Sequence, residues 1–125
     1  MSTDQLRVVG AGLFLFFIFL TGVRLTRSGK PYSMIVLTIH KLISLAAAVL
    51  LVVTIYQINQ VATLSTIELS AGVVTGLLFL GTGILGGILS TDKPVPGAIL
   101  RLHQTGPFLT VFCTAVTLYL LLGRK

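Results

Sequence analysis

This sequence predicts an all-α integral membrane fold, a single up-down-up-down four-helix bundle, on three observations. The first is composition: of 125 residues, 54% are hydrophobic and only 10% charged, with a mean hydropathy of +1.02. A soluble domain of this size leaves roughly a third of its unfolded-chain surface exposed, and cannot hide that much apolar material. The second is segmentation, because the apolar residues fall into runs that match the roughly 20 residues a membrane-spanning helix needs. The third is that no run shows the strict alternation of a strand, while the connections are short enough to make successive helices antiparallel.

The first span covers about residues 6–23, with Leu13-Phe14-Leu15-Phe16-Phe17-Ile18-Phe19-Leu20 as its dense centre. A cleaved signal peptide needs a basic leader and a small-x-small cleavage site. The leader here holds one basic side chain, Arg7, and Thr21-Gly22-Val23-Arg24 follows the apolar centre. A retained span is therefore expected. Arg24, Arg27, Lys30 and Pro31 mark a polar loop broken by Ser28-Gly29. The second span covers about 32–58 and the third about 67–89, separated by a loop with no basic residue. Asp92-Lys93-Pro94-Val95-Pro96-Gly97 makes a stiff connection, since Pro and Gly each oppose helix continuation. The fourth span, about 98–122, ends at Gly123-Arg124-Lys125. No internal repeat is read from the chain, although the second and fourth spans share a pattern.

The net charge of +6 sits at segment ends, the distribution of topology signals and headgroup anchors, and not along one face as nucleic-acid binding requires. The lipid bilayer is the expected partner, and nucleic acid is not. Arg24, Arg27, Lys30, Lys41, Lys93 and Arg101 gather on the side of the first and third loops, against Arg7, Arg124 and Lys125 on the other. The positive-inside rule then puts both termini outside the cytoplasm of a prokaryotic inner (plasma) membrane. The single cysteine, Cys113, excludes an internal disulfide, and the absence of Cys-x-x-Cys-His excludes covalent haem attachment.

The chemistry concentrates on His40 and His103, the two histidines of the chain, each inside an apolar run. Ionisable side chains at such depth are costly and read as functional. In an up-down-up-down bundle the second and fourth helices run parallel, which brings both histidines towards one membrane face. If the bundle closes in sequence order they are diagonal neighbours, about 11–14 Å apart. A flat metal macrocycle fits such a gap, so His40 and His103 are the expected axial ligands of one haem b. Below His40 run Ser44, Ala47, Leu51 and Thr54, and below His103 run Gly106, Thr110, Thr114 and Thr117. These small or hydroxylic stripes leave room for a porphyrin, Ser44, Ala47, Gly106 and Thr110 being nearest the metal; helix packing in lipid uses the same residue types. Lys41 and Arg101 stand within two residues of the histidines and suit the haem propionates, though long basic side chains near helix ends also snorkel to headgroups. Pro107, four residues after His103, removes one backbone hydrogen bond and is expected to kink the fourth helix. On the third helix, Gly72 and Gly76, then Gly83 and Gly87, form G-x-x-x-G pairs suited to close packing.

In its four-helix layout, with His40 inside Ile39-His40-Lys41-Leu42 and His103 inside Leu102-His103-Gln104, the chain resembles small membrane b-type cytochromes. It is similar in kind to cytochrome b561 and to the haem-bearing membrane anchors of respiratory dehydrogenases. The resemblance implies electron transfer, with a membrane quinone or a redox protein as partner, and assembly into a homo- or hetero-oligomer. Cytochrome b561 proteins carry two haems on two histidine pairs, whereas this chain supplies ligands for one.

A structural or assembly subunit without a cofactor is the alternative, its histidines serving as interhelical hydrogen-bonding groups. Proton-coupled transport finds no acid in a helix core, since Asp4, Glu68 and Asp92 all fall at or beyond helix ends. A zinc or copper site lacks a third ligand. Acid–base or nucleophilic catalysis finds no paired carboxylates and no phosphate-cradling loop, so an electron carrier is expected in preference to a stand-alone enzyme.

Overall fold

The structure, a computed structural model, describes residues 1–91 and 93–123. It is all-α: α1 (Thr3–Ser28), α2 (Met34–Val61), α3 (Thr66–Leu89) and α4 (Gly97–Leu122). Each helix is long and apolar enough to cross a membrane, and large apolar side chains such as Phe16, Leu45, Leu77 and Phe112 stay exposed along them. Four such helices with exposed apolar faces are the pattern of a lipid-facing bundle. The protein is integral to the membrane. Asp92 of the expected stiff connection, and Arg124 and Lys125 at the C-terminus, lie outside the described residues.

The helices overrun the apolar runs where local chemistry satisfies their ends. α1 starts at Thr3 because Ser2 caps it: the Ser2 hydroxyl accepts from the Gln5 amide, and the Gln5 side chain accepts from the Ser2 amide at 2.8 Å. This reciprocal capping box quiets two of the unpaired amides at a helix start. α3 begins the same way, with Ser65 and Glu68 as the reciprocal pair. α1 closes at Gly29, whose φ of 64° suits glycine and whose amide donates to the Leu25 carbonyl at 3.0 Å. α2 runs on through Gln57, Asn59 and Gln60, and the Asn59 side chain accepts from the Leu64 amide beyond its end.

The chain divides into two compact units, Met1–Thr54 and Ile55–Lys125, so that α2 contributes to both. In the first unit α1 and α2 are antiparallel: Gly10 lies against Leu50 and Gly22 against His40. In the second, α3 packs along α4, and the end of α2 reaches α3 where Ile55 covers Gly72. The α3–α4 seam is hydroxylic. Thr75 and Thr117 are wholly buried and share a hydrogen bond of 2.9 Å. Thr110 and Thr114 are buried too and donate to the carbonyls of Gly106 and Thr110, one turn back.

Candidate functional site

The geometry begins at equal depth in two helices. His40 is the seventh residue of α2 and His103 the seventh of α4, which puts each about 9 Å along its helix at 1.5 Å per residue. Both rings are half-buried.

In the first unit, His40 Nδ1 lies 2.8 Å from the hydroxyl of Thr21 on α1. That hydroxyl has one proton and two carbonyls to give it to, Phe17 at 2.8 Å and Ile18 at 3.1 Å. When that proton goes to a carbonyl, the oxygen is left to accept from a ring whose Nδ1 carries the hydrogen. In the second unit, His103 Nδ1 lies 3.0 Å from the main-chain oxygen of Thr82 on α3. A carbonyl only accepts, so this Nδ1 also carries the hydrogen. A histidine that ligates through Nε2 has its Nδ1 anchored in this way.

Both rings also rest on glycine. A Cβ built at Gly22 would stand 3.2 Å from His40 Cε1, and one at Gly86 only 2.7 Å from His103 Cε1. These four residues, Thr21, Gly22, Thr82 and Gly86, escaped the sequence reading, which followed the G-x-x-x-G spacing instead. Of the glycines in those pairs, Gly72 meets Ile55, while Gly76, Gly83 and Gly87 have open space around them. The signal that was present is a glycine near the end of the helix before each histidine.

The other expected site residues stay close to their histidines along each helix. The Ser44 hydroxyl donates to the His40 carbonyl at 2.7 Å, and Ala47 is buried one turn further on, followed by Leu51 and Thr54. Gly106 is half-buried, with Thr82 Oγ1 3.2 Å from where its Cβ would be, and Thr110 is buried. The stripes below the histidines are therefore the buried faces of α2 and α4. Lys41 and Arg101 are exposed, as cations serving propionates or headgroups must be. Pro107 lies inside α4, which continues as one helix to Leu122.

Glu68 falls at a helix end, as the sequence places it. It is buried in the first turn of α3, where its side chain completes the Ser65 capping box. Its signature, Ser65-x-x-Glu68 ahead of an apolar run, is present in the sequence.

Among the described residues, no three His, Cys, Asp or Glu side chains come together to hold a metal ion. Each unit holds one histidine, with an exposed cation, Lys41 or Arg101, within two residues of it. A porphyrin supplies four iron ligands itself, so His40 and His103 would be the residues to hold a haem iron, and Lys41 and Arg101 would pair with its propionates. Compared with protein-family models, curated proteins and solved structures, the chain matches none of them.

Proposed function

We propose that this protein is a membrane electron carrier that binds one non-covalent haem b through Nε2 of His40 and His103. The observation that carries the reading is the shared state of the two histidines. Each sits at the seventh position of its helix, with Nδ1 within hydrogen-bond distance of an oxygen of the preceding helix. Bound there, haem supplies one-electron redox chemistry. The chain's own part is to hold both imidazoles in the ligating tautomer, to offer Lys41 and Arg101 to the propionates, and to keep water away with the buried faces below. A quinone or a redox protein would exchange electrons with it, alone or within a larger oligomer. The basic first loop supports an orientation in a prokaryotic inner membrane with both termini outside the cytoplasm.

The test is an absorption spectrum of the purified, haem-supplemented protein, oxidised and then dithionite-reduced. A Soret band that shifts on reduction, and that is lost in both His40→Ala and His103→Ala, is expected. A protein without that band, or one whose band survives both substitutions, overturns the proposal.

The same hydrogen bonds favour one competing reading, a cofactor-free assembly subunit, because both histidines tie one helix to the next. That reading predicts a colourless protein whose histidine variants lose assembly.

A further inference from the structure

The two halves of the chain match at one offset. Ser2-Thr3-Asp4-Gln5-Leu6 and Ser65-Thr66-Ile67-Glu68-Leu69 stand 63 residues apart, and both form the same reciprocal capping box. Lys30-Pro31 precedes His40 as Lys93-Pro94 precedes His103, again at an offset of 63. Beyond the histidines, Thr54 and Tyr56 match Thr117 and Tyr119 at that same offset of 63. Burial repeats with the sequence: Ala47, Leu51 and Thr54 are the buried residues of α2, and Thr110, Thr114 and Thr117 are buried at the matching positions of α4. Any two membrane hairpins share apolar residues. A capping box, a Lys-Pro pair, a histidine, a buried threonine and a tyrosine in register are not supplied by hydrophobicity.

The histidine contacts obey the same relation with a shift of one residue late in the first helix of each pair. Gly22 and Gly86, and the buried Leu25 and Leu89, are 64 residues apart. So are Ile18 and Thr82. The Thr82 carbonyl takes the His103 proton directly, and the Ile18 carbonyl lies within reach of the Thr21 hydroxyl that pairs with His40 Nδ1. One half bridges with a hydroxyl what the other spans directly.

We infer that the chain is an internal duplication of one helical hairpin, and that the first helix of each copy carries a histidine seat, a glycine under the ring and an oxygen beside Nδ1. The seat is a positioning device: Gly22 with Thr21, and Gly86 with the Thr82 carbonyl, fix the tautomer that keeps Nε2 as the binding nitrogen. That Nε2 binds haem iron rests on the function proposed above, whereas the seat itself does not. Duplication explains why the two halves present chemically equivalent histidines.

The experiment uses the full chain, labelled with ¹⁵N-histidine, in detergent micelles with no haem added. At pH about 8.5, above the ordinary imidazole value of about 6.5, long-range proton–nitrogen spectra read the tautomer of each ring. Both rings are expected with Nδ1 protonated. Thr21→Val should move His40 towards a mixture of tautomers and leave His103 unchanged, and Thr21→Ser should restore it. Gly86→Ala should displace the His103 signals and leave those of His40. Either ring protonated on Nε2, or a His40 tautomer indifferent to Thr21→Val, overturns the seat. Two Nδ1-protonated rings in a protein that takes up no haem uphold the seat and remove the haem.

Discussion

The Nδ1 atom of His103 donates to the main-chain oxygen of Thr82 across 3.0 Å, tying the second helix of its unit to the first through a group no side-chain substitution removes. His40 leans on a side chain, the hydroxyl of Thr21. The two anchors should therefore differ in genetic robustness. Thr82→Val is expected to preserve the His103 tautomer, because the acceptor is a peptide oxygen, whereas Thr21→Val disturbs that of His40. Histidine nitrogen spectra check the contrast. Equal sensitivity at both positions would show that His103 is held by something other than the carbonyl.

The Thr75–Thr117 hydrogen bond is the buried polar link of the α3–α4 seam. Thr75 Oγ1 also lies 2.8 Å from the Ala71 carbonyl, so it can donate there and accept from Thr117. Thr75→Val and Thr117→Val should each destabilise the protein, and the double variant should cost less than their sum. Coupling energies for such pairs in membrane proteins average about 0.6 kcal/mol and reach about 1.7. A double-mutant cycle in detergent unfolding measures it, and strict additivity would mean that the two hydroxyls do not interact.

The fold was open to sequence reading, and the site only in part, for physical reasons that differ by residue. Four apolar runs demand four helices because lipid leaves the backbone no other way to satisfy its polar groups. The buried stripe Ala47–Leu51–Thr54 and its counterpart Thr110–Thr114–Thr117 were legible from helical spacing below the histidines. The helix ends were missed by a few residues, since Ser2 and Gly29 extend α1 with hydrogen bonds that hydropathy does not register. Gly22 and Gly86 were hidden for another reason. Their role depends on what stands opposite on the next helix, and a spacing rule within one helix carries no such information.

Gly29 sits at φ 64°, ψ −174°, a region that side chains with a Cβ occupy at a cost of about 1–3 kcal/mol. Space is open around it, so any penalty in Gly29→Ala is conformational and not steric. A loss of stability in that range is expected, while Gly12→Ala, in open space within α1, should be neutral or slightly stabilising. Unfolding of both variants under matched detergent conditions decides the point. A neutral Gly29→Ala would mean that the loop shifts to another backbone conformation at little cost.

Gly86 and Gly87 are neighbours in α3 and share its helical backbone, yet they should respond to alanine in opposite ways. At Gly86 a Cβ would stand 2.7 Å from Cε1 of His103, with Nδ1 and Nε2 at 3.3 and 3.4 Å, whereas at Gly87 nothing lies within 4 Å. The ring is tethered by its bond to the Thr82 carbonyl, so Gly86→Ala is expected to carry an overpacking cost of about 1–3 kcal/mol. Gly87→Ala removes backbone freedom from the unfolded chain and meets no obstacle, a gain of up to about 1 kcal/mol. Thermal unfolding of the two variants, run beside the parent protein, tests this without reference to any cofactor. If both alanines prove equally harmless, the imidazole is free to move away from the glycine, and the close approach of α3 to His103 does not constrain the site.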